Sequence, residues 1–86
     1  IPGRAGKCLS LVVCHQQVPG VIPKLIKEIE KLDINVAEVI KKDFKDKRLS
    51  VLGVEGRRIT LQEVMTLEKN AENIEFIRSL SKLQSE

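Results

Sequence analysis

Tryptophan and tyrosine are absent from this chain of 86 residues, and phenylalanine occurs only twice. Stacking platforms for single-stranded nucleic acid need exposed aromatic rings, so no nucleic-acid partner is expected. Histidine occurs once and cysteine twice, with no Cys-x-x-Cys spacing, which predicts neither a metal site nor a cofactor. No apolar run approaches the roughly 20 residues that span a bilayer, and no secretory leader is visible. Direct membrane insertion is therefore not expected. A dominant charge is missing too: 15 basic residues are interleaved with 12 acidic ones, for a net charge of +3. So mild a field steers no polyanion.

What is present is an ordinary globular composition, 42% hydrophobic and 31% charged. The length suits one small domain of modest stability. Its expected bounds are residues 7–83, with the end of a linker at 1–6 and a tail at 84–86. The chain begins at Ile1 rather than Met, which reads as a piece cut from a longer protein. Cys8 and Cys14 share the first apolar run, where strand geometry sets them roughly 20 Å apart on one face. A disulfide needs Cα atoms within about 7 Å, so the two cannot pair. Buried reduced thiols fit a cytoplasmic setting.

Between Lys7 and His15, Leu9, Leu11 and Val13 alternate with Cys8, Ser10, Val12 and Cys14. Both faces are apolar, as in a central strand. Pro19 to Leu32 reads as a helix with Ile22, Leu25, Ile26, Ile29 and Leu32 on one side. Pro23 falls near its first turn, where proline is tolerated, and Asp33 breaks it. Ile34 to Lys41 and Leu49 to Val54 read as two strands of a hairpin around a polar turn. Thr60 and Glu63 form a capping-box signature, with Ile59 and Val64 as a hydrophobic staple, and open a second helix that runs to about Asn70. The last segment is two-sided. Ile74, Phe76, Arg78 and Leu80 alternate as a strand, whereas Ile74, Ile77, Leu80 and Leu83 could line a helix. The strand completes a β-α-β-β-α-β order, an α+β ferredoxin-like sandwich with a four-stranded antiparallel sheet and two helices on one face.

The stretch His15-Gln16-Gln17-Val18-Pro19-Gly20 joins the first strand to the first helix. Pro-Gly brings the backbone close to the helix start, where free N–H groups attract carboxylates. Together with Asp33-Ile34-Asn35-Val36-Ala37 beyond the helix, this stretch resembles the ACT domain, the amino-acid-sensing regulatory module of metabolic enzymes. Within that family it is most similar to the form found in phosphoglycerate dehydrogenase and some iron-sulfur serine dehydratases. The motifs cover Lys7 to Val54, and the remainder matches by the order of its elements. The resemblance implies that His15, Gln17, Pro19, Gly20 and Asn35 hold a small, serine-like amino acid and that the domain controls an attached enzyme. Gln17 departs from the Asn of serine-sensing members, and its extra methylene leaves the ligand's identity open.

Strand geometry adds an independent constraint. His15 ends the first strand and Asn35 begins the second, so a strand-helix-strand unit sets them roughly 20 Å apart. One amino acid touches both only if two chains meet, which predicts a homodimer. A second reading stays open: His15 bonded to backbone, Asn35 a turn residue, and Pro19-Gly20 needed only for a tight turn. That describes a ligand-free dimerisation domain, such as the soluble C-terminal domain of a membrane transporter. Catalysis lacks its parts. Cys14, the one nucleophile beside His15, points to the other face of its strand, and Glu28, Glu30 and Glu38 form no acid/base pair. Two basic groups remain. The hairpin cluster of Lys41, Lys42, Lys45, Lys47 and Arg48 is interrupted by Asp43 and Asp46 and reads as a solvated turn. Arg57-Arg58 could meet an anion or simply water.

Overall fold

A computed structural model describes residues 9–80. In chain order the elements are β1 (Leu9–Gln16), α1 (Val21–Glu30), β2 (Ile34–Asp43), β3 (Lys47–Gly56), α2 (Leu61–Asn70) and β4 (Ile74–Leu80). The strands form one sheet in the order β2-β3-β1-β4, with every neighbouring pair antiparallel. This is the ferredoxin-like sandwich. β1, apolar on both faces, is central as its sequence requires.

One sheet face carries Leu11 and Val13 of β1, Leu52 and Val54 of β3 and Ile77 of β4, all buried. Leu25 and Ile29 of α1, with Val64 and Leu67 of α2, pack onto it as a single core. α1 is shorter at both ends than its apolar periodicity suggests. Gly20 precedes it at φ 87°, a left-handed conformation that glycine adopts without a Cβ penalty. At the other end, Leu32 N–H donates to the carbonyl of Ile29 and Asp33 N–H to that of Glu30, tightening the last turn. The capping box of α2 is formed: the Thr60 hydroxyl accepts from Glu63 N–H, and the Glu63 carboxylate accepts from Thr60 N–H.

The ambiguous last segment is a strand up to Leu80, and residue 83 lies outside the described residues. Its register explains the ambiguity. His15 pairs with Ile74 and Cys14 with Phe76, so Glu75 is an extra residue in a bulge. Ile74 and Ile77 consequently face the same core at a spacing of three, which reads as a helix in the sequence. The hairpin strands run longer than their apolar runs, because β2 and β3 continue pairing through Asp43 and Arg48. Cys14 is buried and unbridged, and Cys8 lies outside the described residues.

Candidate functional site

His15 stands at the end of β1 on the covered face and is only 1% exposed. Its Nδ1 lies 2.8 Å from the Gln16 carbonyl, and its Nε2 lies 2.8 Å from the Ser50 hydroxyl. A carbonyl oxygen only accepts, so Nδ1 donates to it, while Nε2 and the Ser50 hydroxyl share the second bond. Both ring nitrogens are thus used within the chain, and Ser50, fully buried, is satisfied by the same bond. Sequence reasoning missed Ser50, yet a signal was there. It shares the inward parity of Leu52 and Val54, and a hydroxyl in that row needs a polar partner.

Gln17 is exposed, and its side-chain amide donates to the carbonyls of Phe44 at 2.7 Å and Lys47 at 2.8 Å. These bonds tie the loop after β1 to the turn between β2 and β3. Pro19 and Gly20 complete the loop at the surface. No side chain caps α1, and Pro23, in the third helical position, has no N–H to offer. The free donors of the first turn are therefore those before Pro23. From Pro19 and Gly20 a groove of about 760 Å³ runs between α1 and α2, with Leu25, Leu67 and Ile74 in its floor and Lys24 and Glu28 among its rim.

Asn35 lies elsewhere. His15 pairs with Arg48 on β3, while Asn35 pairs with Glu55 at the opposite end of the same strand. Seven steps along an extended strand amount to roughly 23 Å. Gln17, Pro19 and Gly20 follow His15 in the loop after β1, whereas Asn35 stands at the far end of the sheet. There the Asn35 amide donates to the Glu55 carboxylate at 3.2 Å, and both side chains are exposed.

Arg57, Arg48 and Lys47 are held by local acids. Arg57 makes two bonds to the Glu63 carboxylate, at 3.1 and 2.7 Å, and a third to the Leu32 carbonyl at 2.8 Å. It ties the start of α2 to the end of α1. The guanidinium, followed by the Thr60 N–H, holds the Glu63 carboxyl well below its ordinary 4.5, at about 2. On the hairpin, Arg48 pairs with Asp43, and Lys47 reaches Glu75 at 2.7 Å. Burial first, and then the Glu75 carboxylate, push the Cys14 thiol up, the opposite of what a nucleophilic cysteine requires.

Among the described residues no group of three or more His, Cys, Asp or Glu side chains is placed to hold a metal ion. No described helix is long and apolar enough to cross a membrane. No protein-family model matches the chain, and no curated protein matches its sequence.

Proposed function

We propose that this chain is a non-catalytic regulatory module of the ACT type, which pairs with a second copy and binds a small, serine-like amino acid between the two. The observation that carries this reading is the exposed loop Gln17 to Gly20, which opens α1 on a left-handed glycine without a side-chain cap. An α-carboxylate placed there accepts from the N–H groups of the first turn. The α-ammonium needs acceptors of its own, and the exposed Asn35-Glu55 pair supplies them from the second copy. His15 acts in this reading as a positioning residue, since its bond to the Gln16 carbonyl fixes where the loop begins. Ligand binding then alters how two copies sit together and passes to an attached enzyme through that change.

Calorimetry and thermal shift with the common amino acids at millimolar concentration test the reading. Heat and a raised midpoint are expected with a small polar amino acid, and both should disappear in Gly20→Asp and in Asn35→Ala. Aspartate tolerates the left-handed backbone and places its own carboxylate where the ligand's would lie. A second reading is favoured by a specific observation: both His15 ring nitrogens and the Gln17 amide nitrogen are already bonded inside the chain. In that reading the domain is a ligand-free dimerisation pad, as in the soluble domain of a membrane transporter. A constant dimer that is silent toward every amino acid selects it.

A further inference from the structure

The sheet face opposite the helices has no cover within the described residues, and it is apolar where a solvated face would be polar. Three cross-strand rows make up its centre, and the polar rows Asn35–Glu55 and Lys47–Gln16 border them at the two ends. The middle row runs Ile40, Val51, Val12 and Arg78 across β2, β3, β1 and β4. On one side lies the row Lys42, Leu49, Cys14 and Phe76, and on the other the row Glu38, Gly53, Ser10 and Leu80. Ile40 is 57% exposed and Leu80 is 55% exposed, although both belong to this apolar surface. A contiguous patch of that kind marks a contact surface.

We infer that this open sheet face packs against the same face of a second copy, about a two-fold axis that runs across the strands through the Ile40–Val51–Val12 row. The charge pattern argues for this occupant and this axis. Glu38 and Lys42 stand on β2 at equal distances on either side of Ile40. Neither joins an ion pair among the described residues. A two-fold through the Ile40 row sets Glu38 of each copy against Lys42 of the other, so both unpaired charges find opposite partners twice over.

The uncharged positions obey the same symmetry. Phe76 of one copy meets Leu80 of the other, and Leu49 meets the Glu38 stem that lies over Gly53, where an added Cβ would come within 3.1 Å of it. Ile40, Val51 and Val12 each meet themselves. Only Arg78 meets a like charge, and it sits at the outer rim, bonded to Glu68 at 3.2 Å and stacked over the Phe76 ring at 4.7 Å. Sheets stacked this way lie about 10 Å apart with strands nearly aligned. Asn35 and Glu55 stand one row beyond Glu38 and Gly53 on this same face, and the two-fold sets their row against the row of Lys47 and Gln16 of the second copy.

Sedimentation equilibrium of the full chain with variants on this face tests the inference. In Val51→Lys, with circular dichroism unchanged, the associated mass is expected to fall by half. Glu38→Lys and Lys42→Glu should each weaken association roughly tenfold, because each turns two attractive contacts into repulsive ones. The double variant Glu38→Lys/Lys42→Glu should regain the parent's affinity. A parent that stays monomeric at several hundred micromolar overturns the inference, as does a Val51→Lys chain with the parent's mass. A double variant no better than the single ones overturns it too. Gly20→Asp separates the two readings: it removes the proposed ligand site, alters nothing on this face, and should keep the parent's mass.

Discussion

At the scale of single residues, polar atoms decide which side chains are free to act. His15 was legible as a residue at a strand end beside a Pro-Gly loop, and both of its roles, ligand contact or backbone partner, fitted that position. Which one applies depends on Ser50, a residue distant in sequence, and pairing between β1 and β3 brings the two together. Arg57 poses the same problem. Arg57-Arg58 before a helix could meet an anion or simply water, and Glu63 comes within reach of Arg57 only once α2 has formed. That pair makes stability depend on pH. Glu63 has a folded value of about 2 against an ordinary 4.5, so the native state binds fewer protons than the unfolded chain between those values. Its contribution is complete above about pH 4.5 and is lost as pH falls toward 2. Urea midpoints recorded between pH 6 and pH 2 should fall more steeply in the parent than in Glu63→Gln. Parallel curves would show that the Arg57–Glu63 pair contributes nothing.

At the scale of elements, local signals served well where a terminus has its own chemistry. Thr60 and Glu63 fix the start of α2 because the capping box needs nothing beyond those residues. Strand β4 was harder to read, since a bulge at Glu75 changes the spacing of core residues from two to three, and only the partner strand reveals it. The two helix-to-strand turns share one device. Asp33 and Asn73 stand at φ 64° and 65° immediately before β2 and β4. Short polar side chains tolerate that left-handed backbone, whereas β-branched residues do not. Asn73→Val should therefore cost about 1–3 kcal/mol in chemical denaturation, and Asn73→Gly should retain most of the parent's stability. If valine were as stable as glycine, the turn would have to form by another route.

At the scale of the whole molecule, topology constrains function more than any side chain. β1 and β2 run parallel to each other with β3 between them, and the crossover through α1 returns the chain to the opposite end of the sheet. That much follows from a strand-helix-strand order, so the separation of the Gln17–Gly20 loop from Asn35 was legible before the register was known. What the register adds is the length of β3 that divides them, from Arg48 to Glu55. A ligand site made of both parts must take the loop from one copy and Asn35 from the other, and a two-fold dimer then holds two such sites. Mixing variants tests this composition directly. Gly20→Asp chains lack a working loop but keep Asn35; Asn35→Ala chains have the reverse defect. Neither should bind the amino acid alone. In a mixed dimer, one site combines both defects and the other combines both intact parts. Random exchange between equal amounts makes half the dimers mixed, so roughly a quarter of the parent's sites should return in calorimetry. Complete silence after verified subunit exchange would place the loop and Asn35 in the same copy's site or in none.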